Sequence, residues 1–319
     1  MKSVFKNISQ YLGLRLVFKT VLLVLFFLVS CNKSEDYAEL LEVQTFPERT
    51  NDFSLWQLAP FFDEVQMSYI LKTDDGNIIV VDGGGIKSAP VLESYLIQLG
   101  GQVDTWILTH PHLDHIGAIM EIIKSDKVSI DRILHVPLEE SWVGQYEPQT
   151  RELVAAYNQL LKTKAINTVS VNPGEVFELG AGVEMKALSG LNESIISNAV
   201  NNSSLVFSIR SLSKSVLFLG DLGSLGGKTL LEKTDPAQLK TTYVQMAHHG
   251  QAGVDREIYE AVKAEYALWP TPKWLWENRA DGKAYNSGNF KTFVVREWME
   301  ELGIKKNYVS GLDSTVQID

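Results

Sequence analysis

The 319-residue chain has one cysteine, Cys31, so no disulfide can close within it and no cysteine cluster can hold a metal. Basic residues are also scarce, 29 Lys+Arg against 39 Asp+Glu. Four of them, Lys2, Lys6, Arg15 and Lys19, fall in residues 1–30, where no acidic residue occurs. A chain without that segment therefore has 29 − 4 = 25 basic residues against 39 acidic ones, a formal charge of −14. Such a surface repels polyanions and disfavours nucleic acid as a partner, leaving only a local basic groove to bind it. Beyond about residue 51 no Pro/Gly/Ser linker and no internal repeat interrupts the chain. What remains, about 265 residues, suits one domain with one large core.

Long apolar runs are absent save one. Val21 to Val29 is apolar, lies behind the four basic residues, and is too short to span a bilayer comfortably as a helix. It runs into Leu28-Val29-Ser30-Cys31, which resembles the bacterial lipobox. The resemblance implies a signal peptide over 1–30, a lipidated Cys31, a polar tether over 31–52 and a folded domain over 53–319. Asn32-Lys33-Ser34-Glu35-Asp36 is similar to envelope-sorting signals of Gram-negative bacteria. The expectation is a protein anchored by lipid in the cell envelope, at the outer membrane, facing the periplasm or the exterior.

What the chain does have is histidine in two places. His110-Pro111-His112-Leu113-Asp114-His115 follows the apolar run Trp106-Ile107-Leu108-Thr109, and His248-His249 follows Tyr243 to Ala247. Five of the six histidines thus fall directly after strand-like runs, where loops at strand carboxyl ends are expected. Imidazole nitrogen and carboxylate oxygen are the ligands that borderline divalent cations prefer, zinc above all. Two such clusters read as a metal site. The sixth histidine, His135, closes an expected strand and reads as a structural group.

Elsewhere, short apolar runs alternate with helical patterns. Strands are expected at 53–58, 67–73, 77–82, 103–109, 131–136, 167–171, 183–188, 204–210, 215–220, 243–247, 266–270 and 314–318. Helices are expected at 88–100, 116–125, 149–164, 226–233, 254–264 and 288–302. Asp74-Asp75-Gly76-Asn77 and Leu212-Ser213-Lys214 read as hairpin turns, and a last hairpin is expected after Gly303. Mixed hairpins and crossovers favour an α/β protein with two sheets and helices outside them.

Asp82-Gly83-Gly84-Gly85, the six-residue histidine cluster, Leu219-Gly220-Asp221 and His248-His249-Gly250 occur in that order. The series resembles the metallo-β-lactamase fold superfamily, an αββα sandwich with metals at the strand ends between the sheets. Asn201 to Phe207, with the two later motifs, is similar to the ComEC-type hydrolase domain. The resemblance implies two divalent ions, zinc first and manganese tolerated. His110 and His112 would hold the first ion, Asp114 and His115 the second, and Asp221 would bridge them. One of His248 and His249 would complete the second site, with His249 favoured because it directly precedes the glycine. Asp82 would orient a ligand histidine by accepting its other N–H. The superfamily commonly supplies a further histidine where this chain has Asn201-Asn202; an amide oxygen is a weaker, harder ligand, so the first site should be more open.

A divalent cation lowers the pKa of its water to roughly 7, so a metal-bound hydroxide is the expected nucleophile, with Asp114, His115 and Asp221 at the catalytic centre. Lys273, Trp274, Arg279 and Lys283 crowd one loop and are candidates for binding a phosphate or stacking a ring. The leading expectation is hydrolysis of phosphate esters, as a phosphodiesterase or nuclease-like enzyme on a small-molecule or phosphodiester substrate. The alternatives are the same site acting on a lactone, ester or β-lactam, and a non-catalytic envelope lipoprotein with a vestigial site.

Overall fold

A computed structural model describes residues 53–280 and 282–318; the expected signal peptide, the tether and Cys31 lie outside the described residues. Sixteen strands are formed among the described residues. In chain order they are β1 (Phe53–Gln57), β2 (Ser68–Thr73), β3 (Ile78–Asp82), β4 (Gln102–Val103), β5 (Thr105–Ile107), β6 (Ser129–Ile130), β7 (Ile133–His135) and β8 (Thr168–Ser170), then β9 (Val176–Gly180), β10 (Val183–Ser189), β11 (Val206–Arg210), β12 (Ser215–Phe218), β13 (Tyr243–Gln245), β14 (Tyr266–Trp269), β15 (Lys306–Val309) and β16 (Val316–Ile318). The helices are α1 (Ala89–Gln98), α2 (Leu113–Ser125), α3 (Glu140–Tyr146), α4 (Arg151–Thr163), α5 (Ser224–Lys233), α6 (Pro236–Leu239), α7 (Arg256–Val262), α8 (Lys273–Trp276), α9 (Thr292–Glu301) and α10 (Ser310–Asp313). None of them is long and apolar enough to cross a membrane.

Two seven-stranded sheets carry the fold, ordered β16-β1-β2-β3-β5-β7-β8 and β15-β14-β13-β12-β11-β10-β9. Each half of the chain builds its sheet in the same manner, with antiparallel hairpins first and parallel crossovers after. β1, β2 and β3 pair antiparallel, then β3, β5, β7 and β8 pair parallel. Likewise β9 to β12 are antiparallel and β12 to β15 parallel. Both expected hairpin turns form: Thr73 N–H donates to Asn77 O, and Ser211 N–H to Lys214 O.

The expected last hairpin does not form. β15 pairs parallel with β14, whereas β16 pairs antiparallel with β1 in the other sheet. The chain end crosses from one sheet to close the free edge of the other, a long-range choice that local pattern does not carry. The strands β6 and β9 lie outside the expected strands, and the strand expected at 103–109 is split, Val103 joining the β4-β6 ribbon and 105–107 forming β5. β9 is half exposed, so its apolar signal is weak.

Most strand residues are buried on both faces, because inner side chains meet the other sheet and outer ones meet helices. Along β12, Val216 and Phe218 join the core between the sheets, while Leu217 joins the cluster beneath the helices. Phe218 stacks on Phe207 at 5.0 Å and meets Tyr69 of the opposite sheet edge-on at 5.3 Å. The outer cluster joins Val244, Ala267 and Trp269 to Ile258 and Val262 of α7 and to Val295 and Met299 of α9. Gly117 in α2 marks a close approach. A Cβ there would stand 2.6 Å from Ile86 N, so the helix carrying the second half of the histidine motif is pressed against the turn after β3.

Phe218→Ala should cost about 3–5 kcal/mol of stability, the range for deleting a buried phenyl ring. The shift of the denaturation midpoint at unchanged slope would measure it.

Candidate metal centre

Residues far apart in the chain converge where strands of both sheets end. Asp82 closes β3, His110 lies just beyond β5, Asp221 beyond β12, and His248 and His249 beyond β13. Backbone bonds stitch these ends together: Leu205 N–H donates to Thr109 O (2.8 Å) and His248 N–H to Gly220 O (3.0 Å). The six-residue motif is only partly a loop, contrary to expectation. His112 is the N-cap of α2, so Asp114 and His115 fall in its first turn. There the helix dipole favours the Asp114 carboxylate.

Four imidazoles have one ring nitrogen committed outward, which leaves the other as a free lone pair. His115 Nδ1 is 2.7 Å from Asp82 Oδ2 and therefore donates. His249 Nδ1 donates to Pro270 O at 3.0 Å, since a carbonyl only accepts. His112 Nε2 donates to Glu147 Oε1 at 2.5 Å. Thr109 gives its hydroxyl proton to Asp82 Oδ2 (2.7 Å), so its oxygen accepts from His110 Nδ1 (3.1 Å).

The inner atoms then crowd one place. His115 Nε2 is 3.4 Å from Asp221 Oδ1, and His249 Nε2 is 3.3 Å from Asp221 Oδ2 and 3.2 Å from Asp114 Oδ2. One ligand atom from each of Asp114, His115, Asp221 and His249 lies within 4.8 Å of all the others. His115 Nε2, His249 Nε2 and Asp221 Oδ1 are buried without a hydrogen-bond partner. Beside them His110 Nε2 faces His112 Nδ1 at 3.0 Å, two acceptors confronting one another. His110 Nε2 is 3.9 Å from Asp221 Oδ2. Orphaned lone pairs converging on buried carboxylates fit a divalent cation, which satisfies them all at once.

The electrostatics agree. Burial raises the Asp221 and Asp114 carboxyls, but His249 and His115 outweigh it and hold both well below the ordinary range. Burial opposes a charge on His249, yet Asp221 and Asp114 push it up to about 9. His115 rises well above its ordinary value for the same reason, whereas burial and the neighbouring imidazoles press His110 well below its own. Without a cation, protons on His115 and His249 balance the two carboxylates. A divalent ion carries the same charge and takes their place.

Strained backbone marks the same residues. Asp82, His248 and His249 adopt left-handed φ of 54°, 51° and 57°, each costing of order 1–3 kcal/mol. Asp82 is held by Thr109 and His115, and His249 by the hydroxyl of Thr271, which donates to its carbonyl at 2.7 Å. Gly250 continues the run at φ 76°, where a Cβ would stand 2.3 Å from Trp269.

The two histidines of that turn differ. His249 is 1% exposed and joins the cluster. The His248 side chain is 23% exposed, donates through Nδ1 to Ala252 O at 3.3 Å, and holds Nε2 3.8 Å from Asp221 Oδ2. The two asparagines differ as well. Asn202 is fully engaged, accepting from Gly223 and Gly226 N–H and donating to Ser197 and Asn198 carbonyls. Asn201 donates to Asn198 Oδ1, but its own Oδ1 is buried and unpartnered, like the atoms of the cluster. His135 stands apart on Tyr157, 3.3 Å from its hydroxyl, and burial pushes it down to about 4.

The loop expected to select substrate is largely engaged in its own packing. Arg279 pairs with Glu277 and donates to Lys283 O. Trp274 donates to Asp63 O at 2.8 Å and meets Phe290 edge-on, while the Lys273 charge partly offsets the rise that burial gives the Asp63 carboxyl. Lys283 is exposed. Two groups that contact the cluster, Thr109 and Glu147, went unnoticed in the sequence. Thr109 lay beside the motif, whereas nothing local distinguishes Glu147.

A family model described as the metallo-beta-lactamase superfamily matches residues 62–264. The chain belongs to that superfamily, and its two-sheet α/β fold makes it a metallohydrolase of the metallo-beta-lactamase fold. Among solved structures it is similar to the metallo-beta-lactamase fold protein YhfI from Bacillus subtilis, at 12% identity and TM-score 0.51 over 84% of this chain and 100% of that one. It is also similar to a mutant of the CmlA beta-hydroxylase, at 16% and 0.51, over 85% of this chain and 54% of the other. A metallo hydrolase from Ignicoccus hospitalis follows at 15% and 0.48, over 84% and 99%. These identities speak for the fold alone. No curated protein matches the chain by sequence.

Because His249 titrates near 9 in the ion-free protein, below that pH an incoming cation must displace its proton. Zinc affinity should therefore climb with pH up to at least about 9, and zinc added at pH 7.5 should release protons, which titration in weak buffer would detect. Asp221→Ala should lose most bound metal by elemental analysis, while His135→Ala should lose none.

Proposed function

We propose that this protein is a metal-dependent hydrolase of phosphate esters, acting on small phosphodiesters. The reading is carried by Asn201, whose buried, unpartnered amide oxygen stands in the chain where the superfamily commonly has an imidazole. Together with Asp114 and Asp221 it makes the donor set harder and more oxygen-rich. Such a set suits cations that clamp phosphoryl oxygens, and it admits manganese beside zinc. The likeness of residues 201–207 to the ComEC-type domain points the same way.

His110, His112 and Asp221, with Asn201, would hold one ion; Asp114, His115, His249 and the shared Asp221 would hold the second. Bound there, a divalent pair lowers the pKa of water and offsets charge on the phosphoryl oxygens. The protein's own groups do the rest. Asp82 fixes the His115 ring through Nδ1, and Pro270 O fixes His249. His248, partly exposed with Nδ1 committed to Ala252 O, holds Nε2 3.8 Å from Asp221 Oδ2 and would take or return a proton there.

Beside His112, Asp114 and Glu147 opens a cleft of about 780 Å³, lined further by Leu113, Tyr146, Gln149, Thr150, Leu153 and Asn198 and by no lysine or arginine. It supports a diester with uncharged substituents over a nucleic acid chain.

Assays of the purified protein with zinc or manganese should show turnover of bis-p-nitrophenyl phosphate, with p-nitrophenyl acetate and nitrocefin untouched. Turnover of the latter two alone would assign the site to carbonyl substrates, and no turnover would mark it as vestigial. We further propose that Cys31 anchors the enzyme to the envelope. Wild type should take up labelled palmitate and fractionate with membranes, and Cys31→Ser should do neither.

A further inference from the structure

We infer that Glu147 is a positioning residue for the first metal site, acting through His112; the inference rests on the metal-dependent reading above. Glu147 lies between α3 and Pro148, more than thirty residues from the histidine motif, and is 6% exposed. A buried carboxylate needs compensation, and none of its hydrogen-bond partners is a lysine or arginine. Oε1 accepts from His112 Nε2 at 2.5 Å and from the Thr150 hydroxyl at 2.9 Å, while Oε2 accepts from Val200 N–H at 3.1 Å.

Two consequences follow from that geometry. The His112 side chain is 21% exposed, so packing alone does not fix its ring. A bond to Nε2–H selects the tautomer whose Nδ1 carries the lone pair, and holds that Nδ1 3.0 Å from His110 Nε2. The second oxygen grips the residue directly before Asn201, in the turn that presents the orphaned amide oxygen. One carboxylate thus sets the spacing between an imidazole from the first sheet's loop and an amide from the second sheet's approach. A purely structural anchor would explain the Val200 and Thr150 bonds but gives no reason for a carboxylate against an imidazole nitrogen. Partners of this kind typically change metal affinity 10- to 100-fold when removed.

The test measures zinc binding by calorimetry and cobalt(II) by its visible spectrum, on the full chain. Wild type should bind two ions. Glu147→Ala should bind one with unchanged affinity and the other 10- to 100-fold more weakly, with a changed cobalt spectrum. Glu147→Gln keeps an oxygen for Nε2–H and should recover part of that loss. Thr150→Val, which removes only the hydroxyl bond, should bind as wild type does. In a His112→Ala background, Glu147→Ala should weaken binding no further. Two ions at wild-type affinity in both Glu147 variants, or an additive loss in the double variant, would overturn the inference. Wild type binding no ion would instead remove the reading beneath it.

Discussion

Asp221 holds its negative charge out of water and Asp114 holds its own partly so, both among imidazoles that supply cationic balance. Isolated buried carboxylates are costly unless paired and hydrogen-bonded. Much of the architecture can be read as the means of compensating this pair. Asp114 gains the N-terminal end of α2, and Asp221 takes a backbone N–H–to–Ser204 anchor and four histidines within 4 Å. Each of those histidines is in turn tied by its far nitrogen to Thr109, Asp82, Pro270 or Ala252. The outward bonds turn the inner nitrogens toward the carboxylates, where they hold either protons or a cation.

The cost of that arrangement is visible in the backbone. Three non-glycine residues at the centre hold left-handed φ, and each is locked by hydrogen bonds from another strand end. Strain of this kind persists only where surrounding structure over-determines it. Here the surroundings are two sheets buried on both faces, whose packed core, with Phe218 stacked on Phe207 and edge-on to Tyr69, resists the relaxation that would release it. Packing energy in the core and chemistry at the rim are linked through the strand ends.

Much of this was legible in the sequence. Apolar runs located the central strands, because strands covered on both faces carry near-continuous Val, Ile, Leu and Phe. Asp74-Asp75-Gly76-Asn77 signalled its hairpin, and the spacing of His110, His112, Asp114 and His115 named the candidate ligands. Less legible were β9, whose half-exposed residues weaken the pattern, and the helical start at Leu113, where a proline and three histidines obscure the periodicity.

The sequence by itself determined which residue types are available and roughly where the chain turns, since both follow from local chemistry and short-range periodicity. Only the tertiary structure decided which of two adjacent histidines is buried, which of two adjacent asparagines keeps an unpartnered oxygen, and which sheet receives the last strand. It also placed Glu147 against His112. These outcomes depend on groups tens to hundreds of residues apart meeting at a few ångströms. A local pattern cannot encode such a meeting, because it arises only when both sheets have closed over one core.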